Sequence, residues 1–230
     1  FPADMFRRRV WRIPRPLADR GVIRQAVQWI REAKTPIIIA GGGVLYSEAT
    51  DALDSFATQT GIAVAETMAG KGSLPYTHEQ NLEAMGVTGT PGANLLARDA
   101  DLVISIGTRL SDFTTASRTA FQNPNVRFLN INIAEFDAYK QAALPVTADA
   151  RVTLEELSEA LQGHRVSDAY AERVRAYRAE WQGEVDRLFG IRHGPPISQS
   201  EVIGLVNGFS DPKDVVICAA GSLPGDLHKL

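Results

Sequence analysis

The sequence predicts an α/β fold with a doubly wound parallel sheet, followed by the start of a second α/β domain. Short apolar runs recur along the chain and are too apolar for strands with one face in water. Segments with helical spacing of apolar residues separate these runs. Two of the runs end in glycine, at Gly41 and Gly107. Strands that alternate with helices in this way pair in parallel.

The predicted elements follow from this alternation. A helix begins at Gly21, and a second begins with Ser47 as its N-cap. Further helices are predicted at residues 93–98 and 151–161, and another follows the capping box Ser198-Gln199-Ser200-Glu201. Strands are predicted at residues 37–40, 62–65, 101–106 and 126–133, with a fifth at 144–147. A strand at residues 215–218 would open the second domain.

One long helix is predicted from Asp168 to Phe189. Its apolar residues recur every three or four positions, which is typical of a packing face rather than a cofactor site. They are Tyr170, Val174, Tyr177, Trp181, Val185 and Leu188. We therefore divide the chain into a linker (1–20), a central domain (21–163), a long helix with a linker (164–196) and the start of another domain (197–230).

Composition limits the class of protein. With 230 residues, 44% of them hydrophobic, the chain can bury one full domain and part of another. A net charge of -3 gives no drive toward nucleic acid, and the arginines from Arg7 to Arg15 lie among prolines, as in a solvated linker. The single Cys218 excludes an internal disulfide framework and fits a reducing cytoplasm. No apolar run reaches the roughly 18 residues of a membrane span.

The three consecutive glycines Gly41, Gly42 and Gly43 lie where a predicted strand turns into a helix. Glycine permits positive φ angles and close approach by a ligand or another strand. The triplet is not the dinucleotide fingerprint G-x-G-x-x-G, because Leu45 and Tyr46 follow it. Two interpretations remain open: a ligand crevice, or a turn that needs room for packing.

Three motifs share a position at the carboxyl end of a predicted strand. They are the glycine triplet, the segment from Gly107 to Asp112, and Asn130-Ile131-Asn132-Ile133. In a doubly wound sheet these ends line one crevice, so the glycines and Arg109 are expected to converge on one ligand. Arg109 would contact a phosphate, or instead pair with Asp112 or a helix end. Lys71 lies in the glycine-rich stretch 66–92, whose length suggests a site, and would contact the ligand or lie free in solvent.

No metal ligand or catalytic residue is predicted. The four histidines are far apart in sequence, and Cys218 has no partner at ligand spacing. Neither a nucleophile elbow nor a P-loop nor H-E-x-x-H occurs. The sequence alone therefore points to ligand binding at strand ends rather than to a particular reaction.

Four motifs in order carry a resemblance over residues 20 to 162. They are residues 34–44, Thr67 to Pro75 with the downstream His78, residues 85–89 (Met-Gly-Val-Thr-Gly) and residues 100–109, which end in Gly-Thr-Arg. Together they resemble the Rossmann-like central domain of thiamine diphosphate-dependent enzymes of the acetohydroxyacid synthase type. Residues 41–47 and 219–230 further resemble a branch of that superfamily that hydrolyses a carbon–carbon bond in a cyclic diketone.

The resemblance implies cofactors and partners. The full-length enzyme would use thiamine diphosphate and Mg²⁺, act on a small cyclic diketone and form a homo-oligomer, a dimer or tetramer. By position, Gly221, Ser222 and Leu223 match the segment that touches the cofactor diphosphate. The activating glutamate would precede Phe1 and the magnesium motif would follow Leu230, so we expect a piece of a longer protein that is inactive by itself.

Two departures from the family pattern argue against FAD in the central crevice. Phe113 stands where flavin-binding relatives have a second arginine, and Asn130 and Asn132 replace aspartates. The crevice would then be vacant or take another nucleotide. A carboligase or decarboxylase of the same superfamily, and a stand-alone nucleotide-binding module, remain alternatives.

Overall fold

A computed structural model describes residues 1–211, 213–219 and 221–230. Its central sheet is all parallel, which confirms the predicted α/β fold. The strands are β1 (Pro36–Ala40), β2 (Val64–Glu66), β3 (Asn81–Ala84), β4 (Leu102–Ile106), β5 (Arg127–Ile131) and β6 (Leu144–Val146). Their order across the sheet is β3-β2-β1-β4-β5-β6.

Helices cover both faces of this sheet. Those in the described ranges are α1 (Arg20–Glu32), α2 (Gly42–Tyr46), α3 (Thr50–Thr60), α4 (Pro91–Asp99), α5 (Asp112–Thr115), α6 (Glu135–Ala138), α7 (Ala150–Ala160), α8 (Asp168–Phe189), α9 (Gln199–Phe209) and α10 (Ser222–Lys229). Apolar residues of α1, α3 and α7 form one core layer with the sheet, and those of α4 and α8 form the other. The sheet is therefore doubly wound.

Local sequence explains where the main helices begin. Asp19 accepts hydrogen bonds from the N–H groups of Gly21 and Val22 at the start of α1. Thr90 caps α4, which has proline in its first turn, and Ser167 caps α8. Each cap satisfies N–H groups that have no partner within the helix.

The strand order places a topological switch point between β1 and β4. From β1 the chain moves outward through β2 and β3, and from β4 it moves the other way through β5 and β6. Ala40 is in register with Ile106, and Ile106 with Ile131. The residues that follow these three strand ends therefore lie side by side, at the place where open α/β sheets bind ligands.

Strand β3 lies in residues 66–92, for which the sequence predicts a loop. It has four residues, and its pairing with β2 is interrupted by a register shift. Glu83 also has a positive φ of 62°. A strand this short and irregular leaves little periodicity in the sequence, so only its pairing with β2 defines it.

Two other local predictions were wrong. Ser47 does not cap α3, which follows Ala49; its hydroxyl instead donates to Asp149 Oδ2, 2.5 Å away. No strand forms at Val215–Val216–Ile217–Cys218 in the described part of the chain, where these residues are exposed and without regular structure. A β-branched run becomes a strand only when a neighbouring strand supplies hydrogen bonds.

The apolar stripe of α8 is a packing face, as predicted. Tyr170, Val174 and Val185 are buried. Tyr170 and Val174 belong to the core layer that α8 shares with the sheet. The first half of α8 thus packs as part of the same layer as α4.

Candidate functional site

The glycines that were predicted to line a crevice pack closely against one another at the switch point. A Cβ placed on Gly43 would lie 2.5 Å from Gly107 Cα, and one on Gly41 would lie 2.4 Å from the carbonyl oxygen of Gly107. Gly107 has a φ of 59°, in the left-handed region. The strand ends of β1 and β4 therefore approach so closely that only glycine fits between them.

The Met68–Gly70 turn packs against the same glycines. A Cβ on Gly70 would lie 2.2 Å from the carbonyl oxygen of Ala40, and one on Gly42 would lie 3.0 Å from that of Ala69. Thr67 holds the turn by accepting a hydrogen bond from Gly70 N–H. Of the two interpretations of the triplet, this geometry supports the turn that needs room for packing.

Backbone N–H groups at this edge are bonded to other parts of the chain. Gly41 N–H donates to Ile106, Gly43 N–H to Gly107 and Gly107 N–H to Ile131, at 2.8–2.9 Å. A phosphate group needs free N–H donors to be held by such a loop. These three donors are not free, and a nucleotide contact by Gly41, Gly42, Gly43 and Gly107 stays a prediction.

A cavity of about 230 Å³ lies beside Gly43 and Gly107. The carboxyl end of β5, Asp149 and the start of α7 line its other walls, and Ile13 and Pro14 reach it from the N-terminal segment. Among the described residues, its lining includes one acid, Asp149, and no basic side chain. The chemistry of this lining does not match an anionic dinucleotide.

Arg15 joins the N-terminal segment to the residues beside this cavity. Its guanidinium donates to Asp149 Oδ1 at 3.0 Å, to the carbonyl oxygen of Ser47 at 2.6 Å and to Glu48 Oε2 at 3.1 Å. Asp149 N–H in turn donates to the carbonyl oxygen of Pro16 at 2.9 Å. The end of the predicted linker thus lies against the crevice, whereas residues 1–12 are exposed.

Asn130 and Asn132 use their side-chain amides as donors to loop carbonyl groups. Asn130 Nδ2 donates to the carbonyl oxygen of Lys140 at 2.9 Å, and Asn132 Nδ2 donates to that of Thr108 at 3.0 Å. An ionised aspartate has no proton to donate in either place. These amides close the loops around the crevice, and the absence of flavin there stays a prediction.

Arg109 does not join the glycines at a common ligand position. Its side chain is exposed, and within the described ranges it forms no ion pair with Asp112. Its backbone carbonyl accepts a hydrogen bond from Lys140 Nζ at 2.8 Å. A phosphate contact by this arginine also stays a prediction.

Lys71 lies on the other side of the switch point, against α10. Its Nζ donates to the carbonyl oxygen of His228 at 2.9 Å and lies 4.0 Å from Glu83 Oε2. Its amine is therefore not free in solvent: it is directed toward the C-terminal end of α10 and Glu83.

Glu66 is a buried acid in this second region. It ends β2, is 2% exposed, and accepts a hydrogen bond from Leu74 N–H at 2.9 Å. Burial raises the pKa of the Glu66 carboxyl to about 7, and the nearby charge of Glu83 adds to that rise. A buried acid with such a pKa is a functional candidate on physical grounds.

His228 shares that region and is also buried. Nε2 lies 3.0 Å from the carbonyl oxygen of Glu66, and Nδ1 lies 2.9 Å from Thr88 Oγ1. Burial lowers the pKa of its imidazole. Sequence reasoning missed Glu66, Thr88 and His228; an acid at the end of an apolar run was a signal for Glu66, but no pattern linked the other two to it.

The segment Gly221-Ser222-Leu223 begins α10. Gly221 has a φ of 133° and precedes a helix whose first turn receives no side-chain cap. A Cβ on Gly221 would meet no atom within 4 Å among the described residues. The N–H groups of Ser222 and Leu223 and the Ser222 hydroxyl thus form a donor set that suits a phosphate oxygen.

Neither a metal-binding cluster nor a membrane-spanning helix is present in the described part of the chain. Within residues 1–211, 213–219 and 221–230, no three His, Cys, Asp or Glu side chains gather in a way that would hold a metal ion. No helix in the same ranges is long and apolar enough to cross a membrane.

Comparison with known proteins identifies the class. The family model for the central domain of thiamine pyrophosphate enzymes matches residues 23–157. This match covers α1 through most of α7 and the whole parallel sheet. The chain therefore belongs to the thiamine pyrophosphate enzymes.

Individual proteins that align with the whole chain share one name. The chain is 39% identical to 3D-(3,5/4)-trihydroxycyclohexane-1,2-dione hydrolase of Clostridium tetani and 41% identical to the protein of that name from Bacillus cereus. A protein of the same name from Clostridium perfringens is 39% identical. Each alignment covers 100% of this chain and 39–40% of the relative, so the chain spans about two-fifths of the length of these relatives.

Proposed function

We propose that the gene product containing this chain is a thiamine diphosphate- and Mg²⁺-dependent hydrolase. It would cleave the ring carbon–carbon bond of trihydroxycyclohexane-1,2-dione and yield 5-deoxyglucuronate in the catabolism of myo-inositol. The observation that carries this proposal is the 39–41% identity, across the whole chain, to hydrolases named for that dione. The alignment extends beyond residue 157, where the family match ends, and includes α10.

In this proposal α10 is where the chain meets the cofactor. Bound thiamine diphosphate supplies the electron sink for breaking a bond between adjacent carbonyl carbons. Ser222 and Leu223 donate backbone N–H groups toward its diphosphate, and the Ser222 hydroxyl adds a third donor. Pro224 has no N–H, so Ser222 and Leu223 supply the backbone donors among the first three residues of α10.

The central sheet serves as a scaffold in the same proposal. Close packing of the glycines narrows its crevice, whose lining is mostly apolar and includes the amide of Asn132 and the carboxylate of Asp149. Magnesium ligands would come from outside the described residues. We further propose a homo-oligomer of the full-length protein in the cytoplasm, based on the family resemblance and the single cysteine.

The complete gene product tests the proposal directly. With thiamine diphosphate, Mg²⁺ and the cyclic dione, it should release a ring-opened acid in stoichiometric amount, detected by mass spectrometry. Pyruvate should give neither acetolactate nor carbon dioxide under the same conditions. Carboligation of pyruvate without ring opening would replace the proposal with the synthase alternative.

The 230-residue chain by itself provides a second measurement. We expect no ring opening from it, because the predicted activating glutamate and magnesium motif are not in this sequence. Turnover by the chain alone would contradict that expectation. Titration with FAD, ADP and NAD should show no micromolar binding, and saturable binding of any of them would favour the nucleotide-binding alternative.

A further inference from the structure

The C-terminal end of α10 fits into a socket on the central sheet. We use "α10 socket" for Glu66, Lys71, Thr88 and Trp181, which contact this end. His228 is 1% exposed within it. A carbonyl oxygen only accepts, so Nε2 of His228 carries a proton and donates to Glu66 O at 3.0 Å. Nδ1 of the neutral ring then accepts from the Thr88 hydroxyl at 2.9 Å.

Two further side chains hold the carbonyl groups at this helix end. Lys71 Nζ donates to the carbonyl oxygen of His228 at 2.9 Å, and Trp181 Nε1 donates to that of Lys229 at 3.0 Å. The last carbonyls of a helix have no partner within it, and a cation there interacts favourably with the helix dipole. The α10 socket thus satisfies polar groups that would otherwise need water.

Close packing accompanies these bonds. A Cβ on Gly225 would lie 2.9 Å from Thr88 Cγ2, so glycine permits the approach of α10 to the loop after β3. Gln199, at the start of α9, donates to the Asp226 carboxylate. Contacts from α9, the loops after β2 and β3, and α8 therefore define the position of α10.

Among the described residues, the other end of α10 has no comparable set of contacts. Residues 213–219 are exposed and without regular structure, and Gly221 has no atom near the position of a Cβ among the described residues. A helix of eight residues is about 12 Å long and moves as a unit. We therefore expect a shift at the α10 socket to displace Ser222 and Leu223 as well.

We propose that His228, Lys71 and Thr88 are positioning residues that place the Gly221–Leu223 segment for the diphosphate of thiamine diphosphate. This inference rests on the proposed function and deepens it. It assigns Lys71 a role at the far end of α10 instead of direct contact with a cofactor. The central domain thereby acts on cofactor affinity through one helix.

The test uses the complete gene product and three variants. Thr88→Val removes one hydroxyl with little change of shape, Lys71→Met removes the cation but keeps an unbranched side chain, and His228→Ala removes both ring contacts. His228→Gln is the conservative rescue, because its amide retains a donor for Glu66 O. Lys34→Met is the control, since the Lys34 side chain is exposed at the opposite end of β1.

Three quantities are measured: the Kd of thiamine diphosphate by tryptophan fluorescence at saturating Mg²⁺, hydrogen exchange of residues 222–229, and the KM for the dione at saturating cofactor. Lys71→Met and His228→Ala should weaken cofactor binding about tenfold, the effect of losing a hydrogen bond to a charged or buried group. Exchange in α10 should rise while the central strands and the KM stay unchanged. His228→Gln should recover part of the affinity, and Thr88→Val should show a smaller change in the same direction.

The outcomes separate this inference from the function on which it rests. Wild-type protein that fails to bind thiamine diphosphate overturns both. Wild-type protein that binds it, with Lys71→Met and Thr88→Val binding within twofold of wild type, overturns only the positioning role. A variant that fails to fold is replaced by Thr88→Val, whose small change keeps the affinity measurement decisive.

Discussion

The Tyr170 hydroxyl donates to the carbonyl oxygen of Pro36, 2.6 Å away, and accepts from the N–H group of Ala63 at 3.1 Å. One side chain of α8 therefore joins the start of β1 to the segment that leads into β2. Burial raises the pKa of this hydroxyl, which stays protonated. Tyr170 lies beyond residue 157, where the family match ends, and its hydroxyl joins α8 to Pro36 and Ala63 inside the matched range.

Replacing Tyr170 with phenylalanine should lower the free energy of unfolding by about 1–3 kcal/mol. The loss comes from leaving the buried Pro36 oxygen and Ala63 N–H without a partner. Urea denaturation of the 230-residue chain measures it. Tyr177→Phe is the matched control because that ring is half-buried on the same helix. Equal effects of the two substitutions would contradict the proposed importance of the hydroxyl.

The closely packed glycines give a second prediction. Gly107→Ala should lower the free energy of unfolding by about 3 kcal/mol or more. Its Cβ would lie 2.5 Å from Gly43 Cα, and the φ of Gly107 is 59°. Gly43→Ala should cost a similar amount, since its Cβ would meet Gly107 backbone. Thermal unfolding checks both.

Gly183→Ala provides the control for these substitutions. This glycine lies inside α8, and a Cβ there would meet no described atom within 4 Å. Alanine should therefore stabilise the chain by about 0.5–1 kcal/mol through helix propensity. A stable Gly107→Ala protein would show that the strand ends separate more easily than their geometry indicates.

Glu66 should make stability depend on pH. Its pKa rises from 4.5 to about 7 on folding, so the folded state binds a proton that the unfolded state releases between those values. The contribution of Glu66 to the free energy of unfolding is therefore fully present below pH about 4.5. It falls by roughly 3 kcal/mol as the pH rises to about 7. Glu66→Gln should flatten that part of the profile.

Urea denaturation at several pH values between 4.5 and 8 measures this dependence. Glu172→Gln removes an exposed carboxylate on α8 and is the control. It should leave the dependence of the free energy of unfolding on pH the same as in the parent chain. A Glu66→Gln profile as steep as that of the parent would assign the dependence to other groups. Glu83, whose pKa burial also raises, is the next to replace.

The Arg15 contact gives the fourth prediction. Arg15→Gln removes the ion pair to Asp149, whose side chain is 3% exposed. Asp149 keeps its bonds from Ser47 and from the start of α7, so the loss should be about 1 kcal/mol. Hydrogen exchange at Asp149 N–H, which donates to Pro16, should become roughly tenfold faster.

Arg12→Gln is the matched control because Arg12 is exposed in the same segment. It should leave exchange at Asp149 unchanged. If the two substitutions act alike, the segment is held by its apolar residues Ile13 and Pro14 and not by the Arg15 guanidinium.

The fold was predictable because its signals are local. Ile37, Ile38 and Ile39 form a short buried run that ends in glycine, and a helical pattern precedes it. The long helix from Asp168 to Phe189 was predictable from a repeat of three and four residues. By contrast, the four-residue strand β3 carries too few side chains to show a period, and Val215–Ile217 shows a strand pattern without a partner.

The candidate site was less predictable, because it depends on residues far apart in sequence. Glu66, Thr88 and His228 meet across as many as 162 positions. Arg15 and Asp149 meet across 134 positions. Neither pairing leaves a spacing in the sequence that indicates contact.

The sequence by itself determined the α/β class, the approximate strands around the switch point and the family motifs, because periodicity and glycine placement act locally. Only the tertiary structure decided what those motifs do. In the structure, the Gly41–Gly43 triplet packs against Gly107, and Lys71 lies at the C-terminal end of α10. Backbone approach and burial are properties of several segments together, and a single segment does not encode them.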